Sequence, residues 1–215
     1  MHNSRKTFNM KKLPAAFYER NDVLSIAREL LGKLLVTRFE GQVTSGLIVE
    51  TEAYNGVVDK ASHAFNGRRT NRTEVMYKAG GIAYVYLCYG IHHLFNVVTN
   101  AHGTPHAVLI RGIEPVQGIE LMLERMGKTK FNHSVGKGPG NVSRALGIRT
   151  IHTGYSLMGD ELFVAEDGFL LKQSQIVASP RIGVDYAGED ASLHYRFYLK
   201  DNPFVSGKKN QNLES

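Results

Sequence analysis

Several strand-like segments of this chain follow one another so closely that no helix could connect them, and this spacing constrains the fold more than any other feature. Residues 33–38 and 43–54 are separated only by a turn at Glu40-Gly41. Three more runs with strand composition occupy residues 82–88, 94–99 and 107–111. Because parallel neighbours require a crossover of a dozen or more residues, this spacing predicts an antiparallel sheet.

Helical patterns are fewer than strand patterns. Asn21 is predicted to cap a helix whose apolar residues recur at helical spacing from Val23 to Leu31, with Gly32 ending it. Two further helices are predicted at residues 115–126 and 141–146, and late strands at residues 162–165 and 193–199. The pattern therefore predicts an α+β fold rather than a doubly wound one.

The charge balance points to an acidic partner. Lysine and arginine number 26 against 20 aspartates and glutamates, which gives a formal charge of +6. Such a surface favours a polyanion as partner and keeps the protein a soluble monomer.

Cys88 is the only cysteine, so we expect no internal disulfide and a reducing compartment, cytoplasmic (the nucleoid of a bacterium) or nuclear. No apolar run approaches the ~20 residues of a membrane span, and the basic start does not resemble a secretory signal. We therefore expect no membrane association.

Residues 48–54 (IVETEAY) place two carboxylates on an otherwise apolar strand. Side chains alternate along a strand, so Glu50, Glu52 and Tyr54 share one face. Burial of two carboxylates is costly without partners, and their repulsion would raise the pKa of one of them and make it a better base. The alternative is an ordinary polar face that points to solvent.

Residues 84–90 (YVYLCYG) carry an aromatic cluster. Tyr84 and Tyr86 share a face, whereas Tyr89 precedes Gly90 and is predicted to project from a turn. Aromatic rings stack on nucleobases, and a projecting ring can fill the gap left by an extruded nucleotide. The alternative is core packing with the hydroxyls satisfied at the sheet edge.

Two basic segments are candidates for phosphate contacts. One is the loop that contains Arg72, within residues 68–72, followed by Lys78; the other is the glycine-rich stretch 136–141, which contains Lys137 and leads into a helix. The alternatives are a solvated surface and a common turn. The nine histidines show no metal-ligand spacing, and no cysteine cluster joins them, so no metal site is expected.

In this order along the chain, these segments resemble the alkyladenine (3-methyladenine) DNA glycosylase family. The resemblance rests on residues 48–54, His63, residues 84–90, Asn96 and residues 109–115 (LIRGIEP), and it continues through residues 138–139, 181–184 and 196–198. It extends from about Leu13 to about Ser206, which is nearly the whole chain. Each motif is weak alone, but their combination is specific.

The resemblance implies a single compact α+β domain over residues 13–206, with peripheral helices around a curved, mainly antiparallel β-sheet. Residues 1–12 are predicted to form a basic tail and residues 207–215 a second tail. The implied activity is that of a monofunctional DNA N-glycosylase, which flips alkylated or deaminated purines out of double-stranded DNA and hydrolyses the N-glycosidic bond. The family uses neither a metal nor a cofactor.

The resemblance also assigns the chemistry to individual residues. Glu52 resembles the general base that activates water. Arg111 resembles the arginine that helps to hold that water, and the carbonyl of Ile182 resembles its backbone partner.

Base recognition is assigned in the same way. Tyr54, His63 and Tyr86 resemble the pocket that stacks on the flipped base and hydrogen-bonds it. Tyr89 resembles the intercalating wedge, and Asn96 resembles the residue that crowds the 2-amino group of guanine.

The chain departs from the family pattern at residues 70–73 and at His92-His93. These differences bear on phosphate contacts and on damage preference. Two other interpretations stay open at this point: a non-catalytic nucleic-acid-binding domain, and a glycoside hydrolase that uses Glu50 and Glu52 on a small sugar.

Overall fold

A computed structural model describes residues 10–166, 168 and 171–207. The strands are β1 (Lys11–Lys12), β2 (Leu34–Phe39), β3 (Gln42–Tyr54), β4 (Ile82–Cys88), β5 (His92–Thr99), β6 (His106–Gln117), β7 (Leu162–Glu166), β8 (Ile176–Ser179) and β9 (Arg196–Leu199). The α-helices are α1 (Ala15–Tyr18), α2 (Val23–Leu30), α3 (Ile119–Met126) and α4 (Pro139–Leu146). Short 3-10 helices occupy Gly56–Val58, Phe65–Gly67, Glu74–Tyr77, His133–Val135, Thr150–His152, Gln173–Gln175 and Asp185–Ser192.

The strands form one curved sheet in the order β1-β7-β2-β3-β6-β5-β4, and every pairing in it is antiparallel. The predicted α+β class with a curved antiparallel sheet is confirmed. Strand β9 pairs with β8 on one side and with the second half of β3 on the other. The helices pack around this sheet.

Strand β3 is the centre of the molecule. Residues 44–53 are all buried, because both faces of this strand are covered. Its first half pairs with β2, its second half pairs with β9, and β6 runs along its other edge. Polar groups on β3 can therefore be accommodated only where other side chains supply partners.

Several element boundaries differ from the sequence prediction; for example, the late strand predicted from residue 193 begins only at Arg196. Two of the differences have a clear local cause. The cap of α2 is Asp22 rather than Asn21, and its carboxylate accepts hydrogen bonds from the backbone N–H groups of Leu24 and Ser25. The helix predicted from residue 115 begins only at Ile119, because residues 115–117 continue strand β6. Gly118 adopts a φ of 75°, which breaks the strand and starts the helix.

The predicted tails are described only in part. Lys11 and Lys12, assigned to the N-terminal tail, form β1 and pair with Glu166 and Ala165 of β7. Of the two predicted tails, the structure also describes Met10 and Gly207. The rest, residues 1–9 and 208–215, lies outside the described residues. Among the helices that the structure describes, none is long and apolar enough to cross a membrane.

Candidate active site

A register irregularity in β3 sets the position of its carboxylates. The pairing between β3 and β6 shifts on either side of Glu50, which is typical of a β-bulge. Bulges re-aim side chains and are common beside active sites. Here Glu50, Glu52 and Tyr54 lie on one side, as predicted, and the two carboxylates are completely buried. The alternative of a solvent-facing polar strand is therefore wrong.

Each oxygen of Glu52 has a fixed partner. Its Oε2 accepts a hydrogen bond from the Tyr54 hydroxyl at 2.9 Å, and its Oε1 accepts one from the backbone N–H of Ile182 at 2.8 Å. The Nη1 of Arg111 lies 3.4 Å from the same Oε1. A carboxylate has about four lone-pair sites, so Glu52 retains capacity to accept from a water molecule.

Glu50 is held by a second set of partners. Its Oε1 accepts from Arg196 Nε at 2.7 Å and from Arg111 Nε at 3.3 Å. The backbone N–H and the hydroxyl of Ser206 donate to its two oxygens at 2.7 and 2.9 Å. Two guanidinium groups thus offset the carboxylate pair, and Arg111 bridges Glu50 and Glu52. The predicted repulsion between two uncompensated carboxylates is not what the structure shows.

Arg111 is buried with only 8% of its surface exposed. Burial by itself would lower its pKa, but the charges of Glu52 and Glu50 outweigh burial and raise the pKa of the guanidinium. Its Nη2 donates to the Ser206 hydroxyl at 3.2 Å. Ser206, near the C-terminal end of the described residues, therefore fixes the side chain of Arg111, which points at Glu52.

This link can be tested with Ser206→Ala. The change removes a hydroxyl that bonds two charged groups but keeps the backbone N–H, so we expect the free energy of unfolding to fall by about 2 kcal/mol. Urea denaturation followed by circular dichroism measures this loss. Ser134→Ala is the matched control, because the Ser134 hydroxyl is only partly buried and bonds only the neighbouring Asn132. An equal, small effect of both changes would show that the Ser206 hydroxyl contributes nothing to the network.

The loop that supplies Ile182 is anchored by a buried ion pair. Arg181 donates to both oxygens of Asp59, at 2.5 and 2.8 Å, and to the carbonyl of Ala53 at 3.0 Å. Its guanidinium carbon also lies 4.9 Å from the centre of the Tyr54 ring. The pair holds the 181–183 loop against the end of β3, which brings the Ile182 N–H to Glu52. The structure thus adds a contact between the Ile182 amide and Glu52, and the water-holding role of the Ile182 carbonyl stays a prediction.

An aromatic pocket lies beside Glu52. Tyr54, His63, Tyr84, Tyr86 and Asn96 line a narrow cavity of about 30 Å³. The ring centres of His63 and Tyr86 are 4.6 Å apart, and those of Tyr84 and Tyr86 are 5.6 Å apart. The site residues predicted on three separate segments thus lie together. Tyr84 is buried in the core, as the core-packing alternative expects, and Tyr86 both packs against that core and lines the cavity.

The ionisable groups of this pocket are neutral near pH 7. Burial, followed by the charges of Arg72 and Arg68, lowers the pKa of His63 to about 4. Burial raises the pKa of Tyr84 to about 12, and burial together with the Glu52 charge raises the pKa of Tyr54. His63 Nδ1 lies 2.8 Å from the Tyr84 hydroxyl. The side chains that line this pocket therefore carry no positive charge, although Arg181, outside the lining, lies against the Tyr54 ring.

Asn96 is almost fully buried, with 4% of its surface exposed. Its side-chain NH₂ donates to the backbone carbonyls of Tyr84 and Leu94, at 3.2 and 3.3 Å. These bonds fix the orientation of the amide at the wall of the pocket.

The pocket opens into a larger cleft of about 620 Å³, called here the base cleft. Tyr54, His63 and Tyr86 line both spaces, and Arg111 and Ile182 line the cleft only. Arg111 and Ile182 form part of the cleft wall. Glu52 contacts both residues from behind this wall and lines neither space itself.

Tyr89 stands at the edge of the base cleft. It occupies the β4–β5 turn and is 91% exposed. Its φ of 50° and the φ of 72° at Gly90 place two successive residues in the left-handed region, which is costly for a tyrosine. Strain of this kind is retained mostly where function requires it. The prediction that Tyr89 projects from a turn is confirmed.

The two basic residues proposed for phosphate contacts take different positions. Arg72 is exposed, and its charge contributes to the lowered pKa of His63, so it lies near the pocket. Lys137 is exposed too, and its backbone forms a β-bridge with Gly112, the neighbour of Arg111. In the same loop as Arg72, Arg69 pairs with Glu74. Lys137 lies outside the base cleft.

Sequence reasoning missed three contributors to this site: Asp59, Arg196 and Ser206. Each is an ordinary polar residue in sequence, and only its burial against Arg181 or Glu50 reveals its importance. In the described part of the chain, no three histidine, cysteine or acidic side chains come together as a metal site would require.

Comparison with known proteins extends these observations. A family model described as methylpurine-DNA glycosylase (MPG) matches residues 16–203. A Bacillus cereus (strain G9842) protein with 3-methyladenine DNA glycosylase in its name is 50% identical over 203 residues, which cover 91% of this chain and 98% of that protein. A protein of Desulfitobacterium hafniense (strain Y51) with the same words in its name is 47% identical over 207 residues, covering 93% and 100% of the two chains.

Proposed function

Since this chain belongs to the methylpurine-DNA glycosylase family and is thus a hydrolase of N-glycosidic bonds in DNA, we propose that it flips alkylated or deaminated purines out of duplex DNA and removes them with water activated by Glu52. Family membership sets aside the two other interpretations, a non-catalytic binder and a hydrolase of small sugars. The substrates in this proposal are the 3-methyladenine, 7-methylguanine, hypoxanthine and ethenoadenine class.

The observation that carries the proposal is the juxtaposition of a buried carboxylate, an arginine and an aromatic pocket. Glu52 lies between Arg111 and the Ile182 loop, and the rings of Tyr54, His63 and Tyr86 lie beside it. A purine between these rings would place its sugar toward the wall that holds Glu52.

The chemistry balances as a hydrolysis. The bond between the sugar C1′ and the purine N9 breaks, and its electron pair leaves with the purine. The sugar develops oxocarbenium character, which the Glu52 carboxylate stabilises. The water oxygen bonds to C1′ while Glu52 takes one water proton. That proton then passes through solvent, the released purine is protonated from solvent where its charge requires it, and the Glu52 carboxylate is restored. Arg111 holds the Glu52 carboxylate in place and fixes its orientation.

The neutral pocket suits a cationic base. Methylation at a purine ring nitrogen adds a positive charge, which weakens the glycosidic bond and favours contact with electron-rich aromatic faces. Tyr54 and Tyr86 supply such faces, and a neutral His63 does not repel the cation. Asn96 would crowd the 2-amino group of guanine and so disfavour that base, because its amide is fixed at the pocket wall.

Exposed cations support the binding of DNA. Arg72, whose charge reaches the pocket, and Lys137, beside strand β6, are proposed to contact DNA phosphates. We propose that the enzyme works as a monomer, which its net positive charge favours. A DNA substrate and bacterial relatives support action at the bacterial nucleoid.

Tyr89→Ala tests the flipping step. We propose that Tyr89 fills the space left by the extruded nucleotide, which offsets part of an unstacking cost of a few kcal/mol. The variant is therefore expected to excise hypoxanthine from duplex about 10-fold or more slowly, an effect worth about 1.4 kcal/mol. Excision from single strands, which have no stack to fill, should change little. Single-turnover rates on both substrates measure the difference.

Ile151→Ala is the control for this change, because Ile151 is a large side chain, 71% exposed, that lines neither the pocket nor the base cleft. It should leave both rates unchanged. Equal losses on duplex and single strand with Tyr89→Ala would argue against a wedge.

The proposed function is tested by base release from duplexes that carry one hypoxanthine or one ethenoadenine, and from methylated DNA. The expected result is an abasic site that breaks only on alkali treatment. Strand breaks without alkali would show lyase activity and contradict the hydrolytic mechanism. Tight DNA binding without release of any of these bases would overturn the proposed substrate class.

A further inference from the structure

The β4–β5 turn borders two clefts, and only one of them is the base cleft. Cys88 and Tyr89 line the base cleft, whereas residues 91–93 line a second cleft of about 570 Å³. This second cleft lies against helix α4, whose residues form much of its wall. Nothing in the proposed chemistry uses it.

The second cleft is strongly basic. Arg125, Arg144, Arg149, His92 and His93 line it, and no acidic side chain does. Within the described residues, none of the three guanidinium groups has a carboxylate in salt-bridge distance. Elsewhere in this protein, Arg111, Arg181 and Arg196 all pair with acids. A concave surface lined by unneutralised cations attracts anions.

The arginines are not equivalent. Arg125 is held by neutral acceptors, the Thr44 hydroxyl and the Ala145 carbonyl, at 3.2 and 3.0 Å. Arg125 and Arg149 line the same cleft, and burial and then the charge of Arg149 lower the pKa of Arg125, an effect that the charges of Glu124 and Glu40 offset only in part. Arg144 and Arg149 are exposed and can turn toward a ligand. They are the groups best placed to contact an anion.

A serine adds a second sign of an incomplete site. Ser143 lines the same cleft and is completely buried, and its hydroxyl has no hydrogen-bond partner among the described residues. Buried hydroxyl groups are normally satisfied. A ligand in the cleft would bring acceptors to guanidinium groups that have no carboxylate partner among the described residues.

The position of the turn identifies the ligand. We propose that the second cleft binds backbone phosphates of the undamaged DNA strand. This inference rests on the proposed role of Tyr89 as a wedge that fills the space left by the extruded nucleotide. A wedge at that point lies between the two backbones, and the damaged strand faces the base cleft. The other side of the turn, where Ile91, His92 and His93 lead into the second cleft, then meets the opposite strand.

The test compares duplex and single-stranded DNA that carry the same hypoxanthine. Arg144→Gln/Arg149→Gln should bind duplex with a slope of log K against log salt that is smaller by about 1 to 2, because each lost phosphate contact changes it by about 0.9. Binding to the single strand, and excision from it, should match wild type. Arg149→Gln alone should give about half of the effect, and it keeps the bond from Arg144 Nε to the Arg125 carbonyl, so folding is preserved.

The matched control is Arg20→Gln/Arg38→Gln, which removes the same charge from two guanidinium groups that line neither cleft. A slope equal to that of this control, or equal losses on duplex and single strand, would overturn the inference. The wild-type protein should reproduce the variant's slope on a duplex whose undamaged strand carries uncharged methylphosphonates. If the slope of the wild-type protein is unchanged on that duplex, the inference is also overturned. Failure of wild type to excise hypoxanthine is a separate result, which counts against the proposed function.

Discussion

Replacing Glu52 with glutamine is expected to slow base release by a factor of about 10² to 10⁴, the range that a positioned general base contributes. Glutamine keeps the size of the side chain and an acceptor for the Ile182 N–H, but it cannot take a proton from water. It also loses the negative charge beside the developing oxocarbenium ion. Binding of DNA should persist, because Glu52 is completely buried and lies behind the wall of the base cleft.

The measurement is single-turnover release from a hypoxanthine duplex, read as alkali-dependent strand breaks, with DNA affinity determined in parallel. Glu29→Gln is the matched control, because Glu29 is an exposed carboxylate that pairs with Arg20 on the surface. It should behave as wild type. Release by Glu52→Gln within a few-fold of the control rate would remove Glu52 from the role of base.

Local pattern predicted the arrangement of several candidate site residues. The two-residue period of β3 was sufficient to place Glu50, Glu52 and Tyr54 on one face, and a tyrosine before a glycine was sufficient to predict an exposed ring at Tyr89. These features depend on neighbours in the chain, which the sequence displays directly.

The groups that hold those residues could not be predicted in this way. Arg196 and Ser206 lie 146 and 156 positions from Glu50, and Asp59 lies 122 positions from Arg181. Which charges meet across such distances is decided by the packing of β9 and the C-terminal segment against β3. The wrong start of the helix predicted from residue 115 has a local cause. The helical spacing of apolar residues extends to both sides of Gly118, but the left-handed backbone of Gly118 ends the strand and starts the helix.

The site is therefore a balanced set of buried charges. Glu50, Glu52 and Asp59 face Arg111, Arg196 and Arg181. Burial of ions costs free energy, and removal of one partner leaves the other without a counter-charge in a region with little water. The same interactions that orient Glu52 are thus a point of weakness for the fold.

Asp59→Ala should expose this weakness most clearly. Asp59 and Arg181 are 2% and 6% exposed, and the change leaves the guanidinium without its carboxylate. Two backbone N–H groups, those of Asn55 and Ala61, also lose their acceptor. Breaking such a pair costs about 3–5 kcal/mol, a large part of the roughly 5–15 kcal/mol that stabilises a typical protein.

Chemical denaturation of Asp59→Ala measures this cost, with Asp160→Ala as the matched control. Asp160 also pairs with a cation, Lys12, but its side chain is 86% exposed, so about 0–1 kcal/mol is expected. If Asp59→Ala does not fold, Asp59→Asn keeps the shape and gives a smaller loss. Base release should fall further than stability alone explains, because Arg181 positions the loop whose Ile182 N–H holds Glu52. A loss from Asp59→Ala no larger than that of the control would show that the buried pair adds no net stability.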